Sequence, residues 1–101
     1  MTNLLQSKQV QDICVKNGIT YLGLFGSYAN ETQNDSSDID LLVEYSNKSP
    51  VQTLFDHLDV QFQLEGILDK KVDLVTKRSL HPYIRESVLR NIKCLYKCKV
   101  S

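Results

Sequence analysis

The chain has 101 residues, with 12 Lys or Arg against 12 Asp or Glu and 42% hydrophobic residues. This size and composition favour one globular domain with one core over a disordered chain. No apolar run approaches the roughly 20 residues of a membrane-spanning helix, so we expect no membrane segment. The N-terminus turns polar too early for a secretory signal, and three cysteines without CxxC spacing indicate free thiols in a reducing cytoplasm.

The net charge of zero hides an asymmetry along the chain. Residues 1–69 hold three Lys or Arg and ten Asp or Glu, whereas residues 70–101 hold nine Lys or Arg and two Asp or Glu. A basic end of this kind is either a solvated face or a surface that meets an anionic partner, such as a nucleotide, RNA or an acidic protein. The charge pattern alone leaves both interpretations open.

The first elements are a helix and a buried strand. Apolar residues recur at helical spacing over residues 3–16, and Gly18 is a suitable stop. Residues 19–25, ITYLGLF, are short, apolar and rich in β-forming residues, which predicts a strand buried on both faces.

A glycine-serine pair follows this strand. Gly26-Ser27 ends the strand, and residues 28–32, YANET, can start a short helix. Residues 38–45, DIDLLVEY, predict a second strand.

A longer helix is predicted to begin at Ser49. This serine can cap the helix, Pro50 suits the first helical position, and Gln52 completes a capping box. The helix should end near residues 66–68. It carries one apolar stripe, formed by Val51, Leu54, Phe55, Leu58 and Phe62.

The last third predicts a strand, a helix and a short strand. Residues 71–75, KVDLV, form the third strand, residues 82–92 form a helix, and residues 94–100 can close the fold as a strand. The element order predicts an α/β or α+β fold, with helices covering one sheet.

Two aspartates in the second strand suggest a metal site. Asp38 and Asp40 project to the same face of a strand because residues two apart share a face, whereas Ile39 points into the core. Mg²⁺ prefers such hard oxygen ligands together with phosphate oxygens. Asp73 lies within the third strand and joins the same cluster if the two strands are neighbours.

The glycine-serine pair supplies a second half of this site. A strand that ends in Gly26-Ser27 and opens a helix leaves backbone N–H groups free to bind an anion such as a triphosphate. Together, these features predict two-metal phosphoryl or nucleotidyl transfer. One ion would lie between Asp38 and Asp40, and a second would be shared with Asp73, which can also act as general base.

Each of these features also has an ordinary explanation. A lone DxD is usually a solvated turn or a helix cap, a lone Gly-Ser is usually a turn, and an aspartate in a strand can lie at an exposed edge. The combination, in order and on the expected elements, is far more specific than any one part.

The segment LFGSYANETQNDSSDIDLLVE followed by KKVDLV resembles the minimal nucleotidyltransferases (MNT) of the DNA polymerase beta superfamily. Their pattern is Gly-Ser, ten residues, Asp-x-Asp, then a third Asp on a later strand. Gly26 and Ser27 match the first element, and Asp38, Asp40 and Asp73 match the others.

The resemblance implies one minimal nucleotidyltransferase domain over residues 1–101, with a small mixed sheet flanked by helices. It implies catalysis and metal binding by the three aspartates, two Mg²⁺ ions, and ATP as substrate. Many small members are antitoxins of HEPN ribonuclease toxins. An HEPN-type toxin is therefore the implied partner, and AMP transfer to its tyrosine the implied reaction. Direct nucleic-acid binding is not expected.

One departure from the family pattern bears on activity. The usual Gly-Ser-x-Ala-Arg-Gly-Glu has Asn30 and Glu31 here where Arg and Gly are usual. Asn30 cannot supply the missing positive charge, although Lys70, Lys71, Lys77 or Arg78 are candidates to do so. Two alternatives therefore stay open: a module that neutralises the toxin by binding alone, and a nucleotidyltransferase for small molecules.

Overall fold

The computed structural model describes residues 7–26 and 38–98, apart from the side chain of Arg78. One four-stranded sheet in this part of the chain has the order β3-β2-β1-β4. Its strands are β1 (Ile19–Phe25), β2 (Ile39–Tyr45), β3 (Val72–Thr76) and β4 (Lys93–Lys97). Strand β1 pairs antiparallel with β2 and β4, whereas β2 and β3 run parallel. The predicted mixed sheet with helices is confirmed, although the short helix predicted at residues 28–32 lies outside the described residues.

Three α-helices and one 3₁₀ turn accompany the sheet in the described residues. They are α1 (Lys8–Lys16), α2 (Leu54–Leu68), the 3₁₀ turn Lys77–Ser79 and α3 (Pro82–Asn91). Helices α1 and α2 pack together on one face of the sheet. The opposite face is covered at Gly23 by Ile92, directly after α3, because a Cβ on this glycine would meet the Ile92 side chain.

The hydrophobic core lies between the sheet and helices α1 and α2. Alternating residues of the central strand β2 point into it, and α1 and α2 contribute residues three or four positions apart. From these three elements, the core contains Ile39, Leu41, Val43, Val10, Ile13, Cys14, Val60, Leu64 and Leu68. Leu42 points to the other face and is also buried, so the centre of the sheet is shielded on both sides.

Helix α1 begins later than the sequence predicts. Ser7 has an extended backbone, and its side chain accepts a hydrogen bond from the N–H of Val10, so it caps a helix that begins at Lys8. Residues 3–6 of the predicted helix lie outside the described residues. The predicted stop is confirmed, because Gly18 has a left-handed φ of 67° directly after the helix.

Helix α2 also begins later, at Leu54 instead of Pro50. Thr53 and Asp56 form the capping box: Thr53 Oγ1 accepts from the N–H of Asp56, and the Asp56 carboxylate accepts from the N–H of Thr53. Ser49, the predicted cap, is buried instead. Its hydroxyl donates to the carbonyl of Asn17 at 2.5 Å and accepts from the N–H of Val51, which ties the loop to the end of α1.

The apolar stripe predicted on α2 lies largely at the surface. Leu54, Phe55 and Phe62 are mostly exposed, with Phe55 at 81%. The core contact of α2 is made by the adjoining face, through residues Val60, Leu64 and Leu68. This helix therefore has two apolar faces, of which only one is covered.

Among the helices that the structure describes, none combines the length and apolarity needed to cross a bilayer. The three cysteines are free thiols, and burial raises the pKa of Cys14 to about 12. Cys14 therefore stays protonated and acts as a small core residue.

Candidate active site

The parallel pairing of β2 and β3 places two of the predicted aspartates side by side. Asp40 is the direct register partner of Asp73. Asp40 alternates with the buried Ile39 and Leu41, and Asp73 follows the buried Val72, so both carboxylates lie on the face opposite α1 and α2. Asp73 was expected to join the acidic cluster only if β2 and β3 are neighbours, and the structure shows that they are.

The third aspartate lies within electrostatic reach of this pair. Asp38 directly precedes β2 and is exposed, whereas Asp40 is half-buried. Burial raises the pKa of Asp40, and the charges of Asp73 and Asp38 raise it further. The charge of the Asp40 carboxylate is thus unfavourable in the folded chain, and a bound cation would offset that cost.

The three carboxylates do not converge on one point as a complete metal site would require. In residues 7–26 and 38–98, no three His, Cys, Asp or Glu side chains converge closely enough to hold one ion. Their oxygen chemistry and shared field fit Mg²⁺, and the three-aspartate metal site stays a prediction.

Gly26 lies against Asp40 at the end of β1. Its φ is +74°, a left-handed conformation that side chains disfavour. A Cβ at this position would collide with Asp40 Oδ2 and lie 3.0 Å from Asp40 Cγ. The absent side chain therefore leaves room for the Asp40 carboxylate, a role that the sequence pattern did not reveal. Ser27, the other predicted phosphate ligand, lies outside the described residues, as do Asn30 and Glu31.

The lysines considered as substitutes for the missing arginine lie at two ends of β3. Lys71 is exposed and two residues before Asp73, which places it toward the same side of the sheet. Lys70 is its half-buried neighbour. Lys77 directly follows β3 at the far end from Asp73, and the side chain of Arg78 is not described.

His57 connects α2 to the sheet. Its Nε2 lies 2.8 Å from the carbonyl of Leu74, and its Nδ1 lies 2.9 Å from the hydroxyl of Tyr45. With Nε2 donating to this carbonyl, Nδ1 accepts from Tyr45, whose pKa is raised to about 12 by burial. This bridge holds α2 against β2 and β3. Three separate segments meet in it, so no local sequence pattern could have revealed it.

Comparison with known proteins identifies the family. The model for the family described as polymerase beta, nucleotidyltransferase matches residues 8–99. The chain belongs to this family. The resemblance drawn from the Gly-Ser and Asp-x-Asp pattern is thereby confirmed, and the nucleotidyltransferase family implies a nucleotide as substrate.

Relatives of this nucleotidyltransferase are similar over most of their length. Protein adenylyltransferase MntA of Thermococcus cleftensis is 35% identical over 75 residues, which cover 74% of this chain and 73% of the relative. A Methanocaldococcus jannaschii protein that is assigned by name as a protein adenylyltransferase is 35% identical over 82 residues, or 81% of this chain and 85% of the relative.

Solved structures with the same fold include two with informative descriptions. A toxin-antitoxin crystal structure with AMP-PNP superposes with a TM-score of 0.73 at 27% identity, covering 90% of this chain and 73% of that chain. A structure described as a minimal nucleotidyltransferase has a TM-score of 0.71 at 38% identity, with 83% of each chain covered.

Proposed function

We propose that this nucleotidyltransferase is a magnesium-dependent antitoxin that transfers AMP from ATP to a tyrosine of an HEPN-type toxin. The observation that carries the proposal is the register pairing of Asp40 with Asp73, with Gly26 packed against Asp40. Family membership gives the reaction class.

Asp38, Asp40 and Asp73 would hold two Mg²⁺ ions in this proposal. Bound magnesium would neutralise the triphosphate and lower the pKa of the acceptor hydroxyl. The carboxylates fit the ion because they are hard ligands on one face of the sheet, and because their mutual repulsion favours a cation between them.

The remaining roles concern the general base and the binding of the triphosphate. Asp73 is exposed beside the half-buried Asp40, so an incoming hydroxyl can reach it, and it serves as general base. Gly26 and Ser27 hold the triphosphate through backbone N–H groups and the serine hydroxyl. Gly26, with its left-handed φ, lies at the end of β1 against the Asp40 carboxylate.

The identity of donor and acceptor rests on the relatives. One is named a protein adenylyltransferase, and a structural neighbour is a toxin-antitoxin crystal structure with the ATP analogue AMP-PNP. Transfer of AMP to a toxin is the reaction that accounts for both descriptions, and it agrees with the HEPN-type partner implied by the sequence pattern.

A second candidate is neutralisation of the toxin by binding alone. The sequence favours it at one place, where Asn30 and Glu31 replace the arginine and glycine of the family pattern. The two candidates differ in whether the aspartates are needed for neutralisation.

Incubation with α-labelled ATP, Mg²⁺ and the purified HEPN-type toxin separates these candidates. We expect label on the toxin with the wild-type chain and none with Asp38→Ala. Asp59→Asn is the matched control, because Asp59 is an exposed carboxylate on α2 whose only described bond is to Gln63. This control should transfer AMP at the wild-type rate.

Toxin ribonuclease activity is measured on the same samples. Loss of neutralisation in Asp38→Ala supports AMP transfer as the mechanism. Neutralisation without label, by the wild type and Asp38→Ala alike, would establish binding alone. Label that persists in Asp38→Ala would show that the site is wrongly assigned.

A further inference from the structure

A cavity lies at the opposite end of the strands from the aspartates. It has a volume of about 570 Å³ and lies where β2 and β3 end, beside the start of β1. Glu44, which lines it, is four residues beyond Asp40 on β2, a separation of about 13 Å along a strand. A phosphate group in this cavity is therefore not the phosphate that reacts at the aspartates.

Two cations line the cavity, and neither is paired with a carboxylate in the described part of the chain. They are Lys77, directly after β3, and Arg85 on α3. The salt bridge found in residues 7–26 and 38–98 joins Arg90 and Glu86 instead. Glu44 is the one carboxylate in the lining, so the lining carries a net positive charge and favours an anion.

The Arg85 guanidinium has N–H donors that make no hydrogen bond among the described residues. Its Nη2 donates to the carbonyl of Leu80 at 3.3 Å, which anchors the side chain. Its Nε is buried and has no hydrogen-bond partner among the described residues. Because Nε is buried, a ligand in the cavity would meet the terminal nitrogens of this planar group, which match the oxygens of a phosphate.

The neutral polar groups of the lining are already engaged within the protein. Thr20 donates to the carbonyl of Glu44 at 3.3 Å, and the hydroxyl of Thr76 lies 2.9 Å from that of Ser79. The Tyr45 hydroxyl is bound to His57. Because these groups bond to the protein, the two cations are the part of the wall that selects a ligand.

We propose that this cavity is an accessory site for the phosphate-bearing group of a nucleotide, separate from the nucleotide that reacts at the aspartates. The choice of a nucleotide rests on the proposed function, whereas the anion preference rests on Lys77 and Arg85. The volume falls in the range of about 300–1,000 Å³ typical of small-ligand pockets. The nucleotide is either free AMP or an AMP group already attached to the acceptor protein, since both present the same phosphate.

Titration of the isotopically labelled full-length chain with AMP, without magnesium and with a chelator, tests the site by NMR. We expect saturable shifts at the amides of Thr20, Glu44 and Thr76. Binding should weaken at least tenfold in Arg85→Gln. Arg90→Gln, on the exposed side of the same helix, should bind as tightly as the wild type. Adenosine, which lacks the phosphate, should leave these amides unmoved.

Lys77→Gln provides a second variant, because the Lys77 side chain makes no described bond that the substitution would break. It should weaken AMP binding with the spectrum of the folded chain retained. Unmoved cavity amides, equal binding by adenosine, or unchanged affinity in both Arg85→Gln and Lys77→Gln would each overturn the proposal.

A peptide carrying AMP-tyrosine distinguishes the two sources, since tighter binding than AMP identifies attached AMP and equal binding identifies the free nucleotide. This titration does not depend on AMP transfer, so its failure is distinct from failure at the aspartates.

Discussion

Gly26→Ala tests whether the left-handed turn positions Asp40. An alanine at φ +74° costs about 1–2 kcal/mol through backbone strain alone. Its Cβ would also collide with the Asp40 carboxylate, which must move away. We expect a total loss of about 2 kcal/mol, which lowers Tm by roughly 8–16 °C in a domain of this size.

The activity of Gly26→Ala should fall further than its stability. With a typical stability of about 5–15 kcal/mol, a loss of about 2 kcal/mol leaves nearly all molecules folded at 25 °C. A displacement of about 1 Å in a catalytic group, however, costs roughly 100-fold in rate. Thermal melts followed by circular dichroism and AMP transfer to the toxin, both measured on one preparation, separate the two effects.

Gly66→Ala is the matched control. Gly66 lies within α2, and a Cβ there would meet nothing within 4 Å. Alanine should stabilise this helix position by roughly 0.5–1 kcal/mol and leave transfer unchanged. Wild-type transfer by Gly26→Ala, with Tm within a degree or two of the wild type, would refute the argument that this turn leaves room for Asp40.

Five further substitutions test the site and the packing. Asp40→Asn should abolish transfer, yet raise stability at neutral pH by about 0.5 kcal/mol, because like charges directly opposite on neighbouring strands are unfavourable. The raised pKa of Asp40 means that the folded chain holds this proton more tightly than the unfolded chain. Deprotonation therefore removes stability from the metal-free chain as pH rises through that pKa, and melts across pH check this sign. His57→Ala should lower the free energy of unfolding by about 2 kcal/mol, because it removes two hydrogen bonds. Tyr45→Phe removes one of these bonds and should lower this free energy by about half as much. Denaturant unfolding measures both variants, and equal losses would contradict the bridge. Leu64→Ala should lower the free energy of unfolding by about 2–5 kcal/mol, because Leu64 is buried. Phe62→Ser should change it by less than about 0.5 kcal/mol, because this side chain is mostly exposed. Similar losses in the two variants would show that the outer face of α2 is packed.

The strands and the paired aspartates were largely predictable from sequence. Short apolar runs predicted β1, β2 and β3 to within one residue, and the Gly-Ser and Asp-x-Asp spacing identified the family. The adjacency of Asp40 and Asp73 was only conditional, because strand order is set by tertiary packing that one strand's sequence does not encode. The collision that Gly26 avoids was also hidden, since it depends on the register of β1 against β2.

Helix α2 shows why other predictions failed. Ser49 and Pro50 form a good local start signal, but the Ser49 hydroxyl is used by Asn17 and Val51 across a turn between distant segments. The apolar residues of α2 occupy two faces, so periodicity could not decide which face packs against the sheet. The cavity beside Lys77 and Arg85 was equally hidden, because its walls come from five separate elements.

Strand β4 ends the sheet on the side away from β3. The outer border of such a strand carries peptide groups that another chain can extend, the usual route to edge-to-edge aggregation. Lys93 and Lys97, both exposed, stand at its two ends. If the β4 strands of two molecules paired edge to edge, four lysine ammonium groups would lie close together and repel each other. Part of the positive charge in the last third of the chain therefore disfavours this kind of aggregation.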